Sequence, residues 1–269
     1  MATGSLLVTG GGGFLGRCVL RLAAAAGIDV VAPTSAVLDI RDAGAVDDCV
    51  RTVRPIAIAH LAYRVHERDT IVDGSANVAR AAERVGARLV HVSTDVVFAG
   101  RAAPYTEVDR PDPVYEYGAA KADAERAVAE LHPAAVLVRT SLLYAADLRD
   151  PGAPVEAVRA ALADPASSVF FTDEVRCPAL VDDVATAVVA LAGDAALSDV
   201  TGPLHVTGDE AITRFDFARA IADWLGSDGS VLRSGTHADL GLVRPRRLVL
   251  DNSTAASLGL PCRGVSRVL

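Results

Sequence analysis

Cysteine is scarce in this chain of 269 residues, and its four copies, Cys18, Cys49, Cys177 and Cys262, are far apart. No C-x-x-C occurs and no His stands near them at ligand spacing, which excludes a zinc site or a disulfide framework and leaves all four as core or near-core residues. Positive charge is also short: 26 Lys and Arg face 34 Asp and Glu, a net charge of −8. A surface that tracks phosphates needs clustered cations, so nucleic acid and anionic membrane are excluded as partners, and Arg244, Arg246 and Arg247 are too few to reverse this. Long apolar runs are missing as well. The stretch Leu20 to Val31 is interrupted by Arg21, Gly27 and Asp29, well short of a membrane span. The segment Met1 to Leu7 lacks a charged region followed by an apolar one, so a cytoplasmic location is expected. No internal repeat or low-complexity tract is present.

What remains is an ordinary globular composition, 51% hydrophobic and 22% charged, in a chain long enough to bury a full core. Short β-type runs at Ser5–Thr9, Asp29–Ala32, Ile56–Leu61, Arg88–Ser93 and Ala135–Thr140 alternate with helical stretches at Phe14–Ala26, Asp42–Arg54, Ile71–Val85 and Tyr117–Leu131. That rhythm predicts βαβ units and a doubly wound parallel α/β sheet, with a ligand crevice at the carboxyl ends of its strands. After Tyr144 the rhythm loosens in a turn-rich loop, Asp147 to Gly152. A dinucleotide-binding unit over 1–148 and a smaller α/β substrate-binding unit over 149–269 are therefore expected, with parts of 168–206 returning to the sheet.

The strand at Leu6–Thr9 runs into Gly10-Gly11-Gly12-Gly13-Phe14-Leu15-Gly16, in which Gly10, Gly13 and Gly16 form G-x-x-G-x-x-G at the start of a helix. Glycine lets the turn visit positive φ and lets the backbone approach a pyrophosphate, and the helix amino terminus offers free N–H groups to it. At the end of the second strand, Ala32-Pro33-Thr34-Ser35 carries no carboxylate to repel a 2′-phosphate. Thr34 and Ser35 are donors for one, and Arg17 is either its ionic partner or a solvated helix residue. NADPH is thus favoured over NADH. Asp39-Ile40 lies where a carboxylate accepts from the adenine amino group, or is a plain turn.

Tyr117-Gly118-Ala119-Ala120-Lys121 puts a phenol and an ammonium on one helical face. A free tyrosine titrates near ~10, and Lys121 would supply the cation that favours its phenolate. Upstream, Ser93-Thr94-Asp95 ends a strand at the crevice, where Thr94 is placed to hydrogen-bond a carbonyl oxygen. No metal is required.

These segments, with His60-Leu61-Ala62, Ser93 to Phe98, Arg139-Thr140-Ser141, Pro178 to Asp183 and Arg244-Pro245-Arg246-Arg247, resemble the extended short-chain dehydrogenase/reductases, and most the dTDP-4-dehydrorhamnose reductase branch. The likeness runs nearly end to end. It implies a Rossmann fold, a catalytic triad of Thr94, Tyr117 and Lys121, cofactor contacts from Phe14, Leu15, Leu61, Ala62, Tyr117 and Lys121, the last on the nicotinamide ribose, and a substrate border at Asp95 and Val96. The reaction implied is hydride transfer to the ketone of a nucleotide-linked 4-keto-6-deoxy sugar or a related carbonyl substrate, and a homodimer is the assembly expected. The chain departs from the branch at Val96, Leu142 and Ile71, and the segment Tyr63 to Glu67 lacks its usual run.

Arg176 and Arg244 either grip a substrate diphosphate or form surface salt bridges. His60 and His91 read as packed strand residues, and Asp182-Asp183 as the opening of a helix. A cofactor-binding regulatory subunit and an epimerase are the rival functions. Val96 supplies no second carboxylate beside Asp95, which argues against dehydration.

Overall fold

The computed structural model describes residues 4–269. Residues 1–3, where the Met1–Leu7 segment and the expected first unit begin, lie outside the described residues. The first half is β1 (Leu6–Thr9), α1 (Phe14–Ala25), β2 (Val30–Val31), α2 (Ala43–Val53), β3 (Ala57–His60), α3 (Arg68–Val85), β4 (Arg88–Thr94), α4 (Glu116–Leu131) and β5 (Val136–Thr140). There follow β6 (Leu143–Tyr144), α5 (Ala153–Ala163), β7 (Phe170–Phe171), β8 (Val175–Arg176), β9 (Ala179–Leu180) and α6 (Val181–Gly193). The chain ends with β10 (Gly202–His205), β11 (Ile212–Thr213), α7 (Arg214–Trp224), β12 (Ser234–Gly235) and α8 (Ser253–Ser257).

Six strands form one parallel sheet in the order β10-β5-β4-β3-β1-β2. Its strands alternate between two apolar layers, as a sheet covered on both faces must. Leu6, Val8, Ala57, Ala59, Val90, Val136 and Val138 pack on one side with Val19 of α1 and Val184 and Val188 of α6. Leu7, Ile58, Leu89 and Leu137 pack on the other with Val46 and Val50 of α2 and Val78 and Ala82 of α3. The sheet is doubly wound, as the alternation of short strands and helices predicts.

Local chemistry sets the helix ends. Asp42 caps α2 by accepting from the N–H groups of Gly44 and Ala45 at 2.9 and 3.0 Å, and α3 stops at Gly86, whose φ of 67° few other residues adopt. At the far end of the sheet the Arg88 guanidinium donates to the carbonyls of Leu191, Leu197, Ser198 and Val200, tying the turn after α6 to β4.

The second half divides its loyalties. β10 joins the main sheet beside β5, and α6 covers one of its faces. β7 pairs instead with β12, and β8 with β11. Tyr144, Val155, Val158, Phe170, Phe217, Ile221, Leu232 and Val265 make a separate core for the carboxyl-terminal unit.

The chain leaves β1 for β2 on one side and then crosses to β3 on the other, so the order reverses between β1 and β3. A crevice opens at such a switch point, above the carboxyl ends of the strands.

Candidate active site

Two cavities share that crevice. The smaller, about 380 Å3, is lined by Gly10 to Gly13, Thr34, Ser35, Asp39, Ile40, Leu61 and Ala62. The larger, about 1020 Å3, is lined by Gly13 to Arg17, Leu61, Thr94, Tyr117 and Lys121 on one side and by Ser141, Leu142, Glu156 and Arg214 on the other. The glycine loop is the wall between them.

That loop is glycine for reasons of space. A Cβ on Gly10, at φ 77°, would stand 2.7 Å from the Ala62 amide nitrogen, and one on Gly16 would stand 2.2 Å from the Gly10 carbonyl oxygen. Gly13 takes the N-cap position of α1 with no side chain, which leaves the first N–H groups of the helix open toward the cavities. These features fit a dinucleotide pyrophosphate.

Tyr117 and Lys121 lie one helical turn apart on α4 and both reach the larger cavity. Lys121 is almost fully buried, at 3% exposure, and its Nζ donates to the Val92 carbonyl at 2.7 Å. Burial pulls its pKa down to about 8, partly offset by Glu125. Glu125 in turn forms a buried pair with Arg139, whose Nε and Nη2 donate to the carboxylate at 3.1 and 2.8 Å. The Tyr117 phenol is pushed upward, first by burial and then by the neighbouring Tyr63. In the free protein burial thus favours the protonated phenol, while Lys121 Nζ is turned to the Val92 carbonyl. Tyr63, which the sequence reading left unassigned, sits with its ring centre 6.0 Å from that of Tyr117 and 5.7 Å from Lys121 Nζ.

Lys121 is the one lysine among the 26 Lys and Arg residues. Everywhere else a cation is wanted the chain uses arginine, which cannot release its proton in a protein.

Thr94 ends β4 at the cavity, and its Oγ1 donates to Asp95 Oδ1 at 3.2 Å. Of the four residues expected to hold substrate, none lines either cavity. Asp95 is 3% exposed behind Thr94, where Ser141 Oγ donates to it at 2.6 Å and Arg176 Nε stands 3.7 Å away. Val96 packs into an apolar cluster with Tyr105 and Leu248. Arg176 is no surface salt bridge: it is buried, donates to the Pro245 carbonyl and pairs with Glu174 in the interior. Arg244 lies on the surface. Burial of a charge depends on partners distant in sequence, which no local pattern announces.

The residues expected to meet the adenosine half come together, with one exception. Thr34, Ser35, Asp39 and Ile40 share the smaller cavity, whereas Arg17 faces the larger one, holding Asp150 at 2.7 to 2.9 Å and the Gly12 carbonyl at 2.6 Å. Two cations line the cavity with Thr34 and Ser35: Arg41, overlooked in the sequence although it directly follows Asp39-Ile40, and Arg64, which holds Glu67 at 3.1 Å. The Arg41 guanidinium binds Asp39 at 2.7 to 3.1 Å and lowers that carboxyl to about 2. His60 is packed as expected, between Thr9 Oγ1 at 2.6 Å and Ser75 Oγ at 3.0 Å, and burial drives its pKa to about 3. Asp182 and Asp183 open α6 and pair with Arg21 and Arg263.

The profile of the RmlD substrate binding domain family matches residues 4–263. The chain belongs to this family. Membership makes it an oxidoreductase of the extended short-chain dehydrogenase/reductase type, as the resemblance in sequence implied. It is 33% identical over 256 residues to dTDP-4-dehydrorhamnose reductase of Mycobacterium tuberculosis, across 90% of this chain and 82% of that one. It is 32% identical over 285 residues to methionine adenosyltransferase 2 subunit beta of Pongo abelii, across 98% of this chain and 85% of that one. Among solved structures, dTDP-4-dehydrorhamnose reductase from Bacillus anthracis in complex with NADP is similar with a TM-score of 0.86 and 26% identity over 98% of each chain. No helix among the described residues is long and apolar enough to cross a membrane.

Proposed function

We propose that this protein reduces the ketone of a nucleotide-linked 4-keto-6-deoxy sugar with NADPH. The observation that carries the reading is the meeting of Thr94, Tyr117 and Lys121 with the glycine loop in one cavity. When bound, the nicotinamide dinucleotide supplies the hydride. The backbone of Gly10 to Gly16 and the α1 amino terminus hold its pyrophosphate, and Thr34, Ser35, Asp39 and Ile40 border its adenosine half. The Tyr117 hydroxyl, kept protonated by burial, gives its proton to the substrate oxygen as the carbonyl becomes an alcohol. Thr94 Oγ1 hydrogen-bonds that oxygen once it turns from Asp95, and the Lys121 ammonium adds positive charge beside the growing alkoxide. For the 2′-phosphate, Arg41 rather than Arg17 is the partner, since Arg41 shares the cavity with Thr34 and Ser35 while Arg17 is held by Asp150 in the other cavity.

The test is Tyr117→Phe, which keeps the ring and removes the proposed donor. Turnover of keto-sugar nucleotides should fall by ~10²–10⁴ while NADPH affinity stays within about twofold of the parent. Full activity in this variant refutes the assignment. The likeness to a protein named as a subunit of methionine adenosyltransferase supports a second reading, a cofactor-binding regulatory subunit. Cofactor binding without turnover across a panel of keto-sugar nucleotides and simple ketones selects that reading.

A further inference from the structure

Four cations line the larger cavity: Arg17, Lys121, Arg149 and Arg214. Three are already engaged. Arg17 holds Asp150, Lys121 donates to the Val92 carbonyl, and Arg149 binds Asp147 at 2.8 to 3.1 Å. The guanidinium of Arg214 makes no hydrogen bond among the described residues. Its nearest carboxylate is Glu174, with Oε1 3.9 Å from Nη1, beyond hydrogen-bond reach.

Glu174 is committed elsewhere. Its Oε2 is 2.9 Å from Nε2 of the buried His237, and its Oε1 is 3.3 Å from Nη2 of the buried Arg176. Arg176 is held in turn by Asp95 and the Pro245 carbonyl. The acidic residues on the cavity wall are spent too, Asp150 on Arg17 and Glu156 on Arg159 at 3.0 Å. Arg214 opens α7, its own N–H donates to the Glu174 carbonyl at 2.8 Å, and its side chain is 26% exposed. The result is a guanidinium with no hydrogen bond among the described residues, at the edge of a cavity whose other guanidiniums and carboxylates are already paired. A fork of donors in a partly desolvated place is the geometry that recognises phosphate oxygens.

We propose that Arg214 is the residue that recognises an anionic group of the substrate, a phosphate of a nucleoside diphosphate, and that Glu174 and Arg176 position it. This rests on the reading of the substrate as nucleotide-linked. It departs from the sequence expectation, which gave the same task to Arg176 and Arg244.

Calorimetric titration with dTDP, and separately with NADPH, tests it on the parent, Arg214→Met and Arg214→Lys. Loss of the charge-assisted bonds should weaken dTDP at least about tenfold in Arg214→Met, leave NADPH within about twofold, and flatten the salt dependence of dTDP binding. Arg214→Lys, with a point charge and no fork, should fall between the two. Should Arg214→Met not fold, selective weakening of dTDP in Arg214→Lys supports the proposal and an unchanged affinity there overturns it. Equal dTDP affinity in all three proteins, equal loss for dTDP and NADPH, or a parent that binds no dTDP also overturns it. A parent that binds dTDP through Arg214 yet reduces no ketone leaves this assignment standing and removes the reductase reading. A working reductase indifferent to Arg214 does the reverse.

Discussion

Replacing Lys121 by Met should make the protein more stable and less active at the same time. The lysine sits at 3% exposure with one hydrogen bond, to the Val92 carbonyl, and a pKa drawn from 10.5 to about 8. At about 1.4 kcal/mol for each pH unit, holding the ammonium in that place costs roughly 3 kcal/mol of folding free energy at pH 7. Met fills nearly the same volume and forfeits only the hydrogen bond, worth about 1 kcal/mol. Lys121→Met should therefore gain about 2 kcal/mol at pH 7. Between about 8 and 10.5 the unfolded chain keeps a proton that the folded chain has released, so parent stability climbs with pH and the gap closes. Above that range both states carry the neutral amine, and Met is level or slightly worse. Urea unfolding without cofactor at pH 7 and pH 10.5 measures the difference. Because the chain has a single lysine, ¹³C labelling at lysine Cε gives one side-chain resonance, whose titration midpoint should lie near 8. A midpoint above 10, or a Met variant that is weaker at pH 7, would refute the argument.

Gly16→Ala brings a methyl onto the Gly10 carbonyl at 2.2 Å, and cofactor affinity measured by fluorescence should fall by more than about tenfold as the loop is forced apart. Glu125→Gln leaves Arg139, 2% exposed, without its counter-charge, and should lower the unfolding free energy by about 3–5 kcal/mol in a urea titration. Arg41→Ala should reduce the ratio of NADPH to NADH affinity, whereas Arg17→Ala should leave it unchanged. The opposite pattern would return the 2′-phosphate to Arg17.

The glycine loop and the Tyr117 and Lys121 pair were legible because their logic is local: a positive φ, a close approach, and an i, i+4 spacing on one helix. The sheet was legible because continuous apolar strands between amphipathic helices permit few other arrangements. The substrate side was not. Asp95 reads in sequence as a substrate border and Arg176 as a diphosphate grip or a surface salt bridge, but their burial and that of Glu174 depend on Ser141, Pro245 and His237, dozens of residues away. Arg214 was missed for the same reason, since its value lies in what its neighbours have already bound. Tyr63 belonged to a segment recognised only for departing from the family pattern. Its place between Tyr117 and Lys121 follows from where β3 ends beside β4, a matter of register.

Arg88 gives the opposite end of the sheet a different character. All of its hydrogen bonds go to main-chain carbonyls, so the joint between α6 and β10 is built on the shape of a flat, five-donor head rather than on opposed charges. The hydrogen bonds of such a joint need no ionised acid, though Asp199 stands close enough to favour the Arg88 charge, while the crevice on the other edge is crowded with carboxylates and guanidiniums paired with one another. Changes of salt or pH will thus bear more on the paired charges of the crevice rim than on the carbonyl contacts of this joint.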